Sequence, residues 1–157
     1  MNTTDGHMDL NRDYQELLQS FASHNVRFLV VGGYALAAHG HPRYTKDLDI
    51  WVWTDPSNAE RIVKSLESFG FDGLGLTALD FQEPDVVVQL GREPLRVDIL
   101  TFATGLDFVT AYENRIMVSI GNLEVPFVSI GDLRTNKLAT GRLRDIADAA
   151  DLPPDRE

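Results

Sequence analysis

Asp47 and Asp49 lie two residues apart in a segment where apolar and other side chains alternate strictly. Leu48, Ile50 and Val52 fall on one side, and Asp47, Asp49, Trp51 and Trp53 on the other, which is the periodicity of a strand. On a strand such residues point the same way, with Cα atoms roughly 6.6 Å apart. Two carboxylates held side by side repel unless a cation lies between them, and hard divalent ions such as magnesium take carboxylate oxygens. The spacing therefore suits a pair of metal ligands. For the pair by itself, two solvated aspartates at a strand end remain the plain alternative.

A third carboxylate weakens that alternative. Leu95, Val97 and Ile99 alternate with Arg96 and Asp98, so Asp98 leaves the polar face of a second strand. If that strand pairs beside the first, Asp98 faces Asp47 and Asp49. Metals held roughly 3.5–4 Å apart in such a site activate an attacking oxygen and stabilise a leaving phosphate. A salt bridge from Asp98 to Arg96 is the competing expectation. Gly32-Gly33 ends an apolar segment and opens a short helix. Free backbone N–H groups there can hold phosphate, although a glycine pair is by itself also a simple tight turn. The chain contains neither Gly-x-x-x-x-Gly-Lys-Ser/Thr nor Gly-x-Gly-x-x-Gly, so the usual P-loop and dinucleotide readings lack their motifs.

The remaining chemistry-bearing residues read as structural. His39 and His41 sit in a Gly/Pro-rich turn, and Trp51 and Trp53 are expected to pack. Asp145 and Asp148 share one side of a helix, where Arg142 or Arg144 can pair with them. No serine stands in a Gly-x-Ser-x-Gly turn.

The elements that must position these groups are legible from periodicity and punctuation. Residues 10–21 carry an amphipathic helical stripe, 27–31 a short apolar strand, 34–39 a short helix and 47–53 the acidic strand. Pro56 opens a helix that Gly70 ends. Residues 72–84 read as loop, 86–90 and 95–100 as a hairpin, and 106–113 as a helix. Gly121-Asn122 joins strands 116–120 and 123–128 in a second hairpin. Ser129 caps a helix to about residue 139, and a last helix covers 143–150. Two hairpins after a strand–helix–strand start predict an α+β fold, with a mixed β-sheet flanked by helices.

Length and composition are consistent with this. The 157 residues are expected to form one domain, with residues 1–8 disordered and 151–157 a tail. A hydrophobic share of 43% is enough to fill its core. The longest apolar run, residues 28–38, is about half of the ~20 needed to cross a bilayer, and the first nine residues are polar rather than signal-like. The absence of cysteine excludes disulfides and thiolate metal sites. A cytoplasmic protein that does not span a membrane is expected. The net charge of −10 argues against broad non-specific binding of nucleic acid, while leaving room for a local basic patch.

Taken in order, Val30-Val31-Gly32-Gly33-Tyr34-Ala35-Leu36, Arg43-Tyr44-Thr45-Lys46-Asp47-Leu48-Asp49-Ile50 and Arg96-Val97-Asp98-Ile99 resemble the nucleotidyltransferase superfamily, with its DNA polymerase beta-like fold. The nearer resemblance is to small AbiEii-type, toxin–antitoxin-associated nucleotidyltransferases. Arg43 and Thr45 before the acidic pair carry it, with Asn136-Lys137-Leu138-Ala139 and Gly141-Arg142-Leu143-Arg144-Asp145 later. The resemblance implies transfer of a nucleoside monophosphate from a nucleoside triphosphate to an acceptor hydroxyl on an RNA end, a protein or a small molecule. It assigns Asp47, Asp49 and Asp98 as catalytic metal ligands for magnesium, with manganese as a substitute. Gly32, Gly33, Arg43, Thr45 and Lys137 become the nucleotide-binding set, while Arg142 and Arg144 are further phosphate or acceptor contacts. An antitoxin or a second copy of the chain enters as a candidate partner. The competing reading is a catalytically inactive module of the same fold that acts through a partner protein.

Overall fold

The computed structural model describes residues 8–41, 47–92 and 95–154. The expectations for residues 1–7, Arg43, Thr45 and 155–157 fall outside these. Among the described residues, twelve main elements follow in order: α1 (Arg12–Ser23), β1 (Phe28–Val31), α2 (Gly32–Ala38), β2 (Asp47–Val52), α3 (Pro56–Phe69), β3 (Val87–Arg92), β4 (Leu95–Leu100), α4 (Phe108–Glu113), β5 (Ile116–Ile120), β6 (Leu123–Phe127), α5 (Ile130–Ala139) and α6 (Leu143–Asp151). The α+β expectation holds, with a six-stranded mixed sheet in the order β3-β4-β2-β1-β6-β5.

Local sequence explains most boundaries. Asn11 caps α1 by accepting from Asp13 N, and Tyr14, Leu17, Leu18 and Phe21 turn its apolar stripe inward. Asp55 accepts from Ser57 N and Asn58 N ahead of Pro56, and Gly70 closes α3 in the left-handed conformation. Ser129 caps α5 through Asp132 N. Helix α4 starts at Phe108 rather than at residue 106, because the Asp107 side chain accepts from Thr110 N at 3.1 Å and so sets the first turn. The segment read as loop contains two 3-10 turns, Asp72–Leu74 and Ala78–Phe81. Thr77 and Asp80 close the second with a reciprocal capping box, which delivers Phe81 fully into the core.

The register brings the acidic strands together. β2 runs antiparallel to β1 and parallel to β4, with Asp49 opposite Asp98 and Asp47 opposite Arg96. Both expected hairpins form, β3–β4 and β5–β6, and β6 joins β1 in parallel. Leu48, Ile50, Val97 and Ile99 go to the core, which is one cluster shared by the sheet, α1 and α3. Of the alternate positions on β2, Asp47 and Asp49 line a cleft, while Trp51 is buried. Burying these side chains stabilises the fold by about 1.5–3 kcal/mol each, so the core that holds the strands in register also holds the carboxylates in place. Among the described residues, no helix is long and apolar enough to cross a membrane.

Candidate active site

The pairing of β2 with β4 brings the acidic residues together. Asp49 and Asp98 are direct neighbours across the parallel β2–β4 pair. Burial, then the charges of Asp98 and Asp47, push the Asp49 carboxyl from its ordinary 3.8 up to about 7, against the pull of Lys137 and Arg96. Burial also raises Asp98, with Asp47 adding to it, while Arg96 and a hydrogen bond with Asp49 draw it back in part. Arg96 lies between the acids. Its Nη2 donates to Asp47 Oδ2 at 2.5 Å, and its Nε stands 3.7 Å from Asp98 Oδ1. Tyr14 of α1 fixes this stretch of β4, since its hydroxyl donates to Arg96 O and accepts from Arg96 N, each at 3.0 Å.

Gly32 and Gly33 lie beside the acids. Helix α2 begins within the glycine pair, two residues earlier than the sequence suggested, and Gly32 adopts a φ of +70°. A Cβ there would overlap Asp49 Oδ2 and reach Asp49 Cγ at 3.0 Å. Glycine is thus demanded twice, by backbone conformation and by the carboxylate packed against it.

Helices α5 and α6 form the opposite wall. Lys137 Nζ stands 3.1 Å from Asp145 Oδ1 and 3.7 Å from Asp148 Oδ2. Asp145 also accepts from Thr140 Oγ1 at 2.7 Å and Arg142 Nε at 2.6 Å. Burial alone would raise the Asp145 carboxyl, but these hydrogen bonds from Thr140, Lys137 and Arg142 hold it down at about 2. Asp148 is equally buried and faces His41 Nε2 at 3.7 Å. The expected pairing of Asp145 with Arg142 is present. The pairing of both aspartates with Lys137 was not foreseen. Its signal was the spacing from Lys137 to Asp145 and Asp148 across a Gly141 turn, which folds α6 back onto α5.

A cleft of ≈ 860 Å³ unites the two walls, and Gly32, Gly33, Asp47, Asp49, Lys137, Arg142 and Arg144 all line it. Carboxylates on one side and cations on the other suit a ligand that carries phosphates and binds through a divalent cation. The donor set fits such an ion: three carboxylates on adjacent strands, with Asp98 Oδ1 buried and lacking a hydrogen-bond partner. Mutual repulsion of the kind that raises Asp49 is relieved by a cation. Among the described residues, no three His, Cys, Asp or Glu side chains already form a metal-holding group, and Asp47 is committed to Arg96. Three-carboxylate binding therefore requires Arg96 to give way. Other sequence candidates are structural: His39 Nε2 lies 2.8 Å from Val128 O, and Trp51 packs edge-on against Phe108.

The paired strands, the glycine turn and the cleft define a nucleotidyltransferase fold. The chain belongs to the family described as nucleotidyltransferase of unknown function (DUF6036), whose profile matches residues 8–151. Among solved structures, it resembles a candidate nucleotidyltransferase from Thermotoga maritima, TM1012, at 17% identity and a TM-score of 0.61, over 90% of this chain and 92% of that one. It also resembles the lincosamide antibiotic adenylyltransferase LnuA in its lincomycin-bound form, at 14% identity and a TM-score of 0.52, over 92% and 98% of the two chains. These similarities concern the fold. No curated protein matches the sequence.

Proposed function

We propose that this chain transfers a nucleoside monophosphate from a nucleoside triphosphate to an acceptor hydroxyl, using the cleft between the acidic strands and α5. The observation that carries this reading is the register that sets Asp49 beside Asp98, with Asp49 lining one cleft together with Lys137 and Arg142. Asp47, Asp49 and Asp98 are the residues that would hold magnesium, or manganese in its place. The bound ion supplies charge neutralisation at the phosphates and a more acidic acceptor hydroxyl.

The chain's own groups do the rest. Lys137 and Arg142 are placed to neutralise phosphate oxygens, with Gly32 and Gly33 allowing close backbone approach. The acceptor oxygen forms a bond to the α-phosphorus, the bond from that phosphorus to the β-bridging oxygen breaks, and pyrophosphate leaves. Asp98 is the carboxylate we assign to receive the acceptor's proton. Arg43 and Thr45 complete the nucleotide set on the strength of the sequence motif. An RNA end, a protein side chain or a small molecule remains the acceptor class. The nearer kinship with AbiEii-type toxins, and an antitoxin as partner, rest on the sequence motifs.

The partner-binding reading has one feature in its favour. Leu143 and Ile146, three apart on α6, are exposed, Leu143 to 85%. Calorimetric titration of each nucleoside triphosphate, with magnesium and with chelator, separates the two readings. Magnesium-dependent binding by the wild type that is lost in Asp49→Asn supports catalysis. Absence of binding by any triphosphate would refute it in favour of the partner-binding module.

A further inference from the structure

We propose that a second cleft, at the start of β1, is a binding site for phosphate oxyanions, separate from the acidic cleft. β1 links the two: Arg27 and Phe28 line this second cleft and Val31 the acidic one, roughly 10 Å further along at 3.3 Å per residue. The second cleft encloses ≈ 500 Å³ and gathers Arg27, Arg61 and Arg115. In a chain of net charge −10, three arginines in one cleft are a marked local reversal of sign. None of the three has a carboxylate partner among the described residues. Glu124, the carboxylate that lines the cleft, is turned to the Ser119 hydroxyl.

The arginines are held rather than loose. Asn58 is fully buried and ties the Arg27 backbone to the Arg61 side chain. Its Oδ1 accepts from Arg27 N at 2.8 Å and Arg61 Nη2 at 3.4 Å, while its Nδ2 donates to Arg27 O at 3.1 Å and Trp53 O at 2.8 Å. Arg61 Nε donates to Asn25 O. Aromatic faces orient the other two guanidinium groups. Arg27 lies 5.4 Å over Trp53 and 5.7 Å over Tyr112, and Arg115 lies 4.1 Å over Tyr112. A guanidinium laid on a ring keeps its charge and turns its N–H edge outward, where it matches two oxygens of a phosphate. The site uses none of the groups assigned to nucleotidyl transfer, so it stands or falls independently of that reading.

The test uses the full chain in chelator, without nucleoside triphosphate, and two probes: fluorescein-labelled oligouridylate followed by anisotropy, and inorganic phosphate followed by the fluorescence of Trp53 beside Arg27 in a Trp51→Phe background. Wild type is expected to bind at least one probe. For the oligonucleotide, log K should fall with log salt at a slope of about −2, the value for three phosphates neutralised on a single strand. The double variant Arg27→Ala/Arg115→Ala should bind at least ~10-fold more weakly and lose about two-thirds of that slope. Arg27→Lys/Arg115→Lys should restore part of the affinity, and Asp49→Asn should bind as wild type does. Displacement of the oligonucleotide by inorganic phosphate assigns the site to free phosphate groups, and resistance to displacement assigns it to a phosphodiester backbone. The proposal is overturned if neither probe binds, if the double alanine variant with a native circular dichroism spectrum binds undiminished, or if Asp49→Asn removes the binding.

Discussion

Gly32 has no side chain, and Asp49 Oδ2 occupies the space where one would be. The contact ties the glycine turn after β1 to the acidic residue at the centre of β2, which is opposite Val31 in the antiparallel pair. One residue thus serves both the turn and the position of a carboxylate.

Gly32→Ala is therefore expected to do two things. The left-handed backbone costs a non-glycine residue about 1–2 kcal/mol, and the new methyl group must move Asp49. Thermal melting should drop by roughly 2–8 °C for a chain of this size. Magnesium-dependent triphosphate binding should fall far more than the stability loss explains. Binding that survives at wild-type strength would remove Asp49 from the site.

Asp49 gives a stability dependence of definite sign. Its carboxyl is raised in the fold to about 7 from 3.8, so the folded chain holds a proton there that the unfolded chain has lost across that interval. The stabilisation is complete below pH 3.8 and disappears as pH rises through about 7. Asp49→Asn removes this loss. Its unfolding free energy at pH 8 should exceed that of wild type by an amount on the order of a few kcal/mol or less, read as a higher melting temperature. Magnesium should raise the melting temperature of wild type at pH 8 and leave the variant unmoved. A variant less stable than wild type at pH 8 in chelator would contradict the strain assigned to the acids.

Arg96 occupies, with its own charge, the region that a cation would neutralise. Arg96→Met leaves Asp47 and Asp98 without their guanidinium, so in chelator the melting temperature should fall. Added magnesium should then stabilise the variant more than it stabilises wild type, because no arginine has to be displaced. Thermal melts across a magnesium series measure this directly. An equal or smaller magnesium effect would show that Arg96 does not compete for the acids.

Asp145 holds Lys137, Thr140 and Arg142 together behind the cleft. With its carboxyl held at about 2, the stability it contributes is present above the ordinary carboxylate value and is lost as pH falls through about 2. Asp145→Ala leaves a partly buried lysine with Asp148 at 3.7 Å and should cost roughly 3 kcal/mol or less at neutral pH. Triphosphate affinity should weaken with it, while Asp145→Asn, which keeps hydrogen-bonding capacity, should fall between the two in urea midpoint. An alanine variant with wild-type stability would show that the network is not needed to hold α6 on α5.

Part of the candidate site's local geometry is legible in the sequence. Strand period places Asp47 and Asp49 on one face and Asp98 on the polar face of its own strand, because side chains alternate on any pleated backbone. Helix ends at Asp55, Pro56, Gly70 and Ser129 follow from capping chemistry that acts over three or four residues. The capping box of Thr77 and Asp80 is equally local, but it stands in a segment without hydrophobic period to mark it.

Local sequence thus carries half of the account: which residues share a face, where helices start and stop, and that three carboxylates are available. The tertiary structure alone decided which faces meet. That β4 lies parallel beside β2 with Asp98 against Asp49, that Arg96 is drawn to Asp47, and that Lys137 is held by Asp145 and Asp148 depends on contacts between segments distant in the chain. So does the meeting of Arg27, Arg61 and Arg115 in one cleft. Such contacts are selected by burial of the whole core, and by the cost of leaving buried charge unpaired, neither of which any short window of sequence contains.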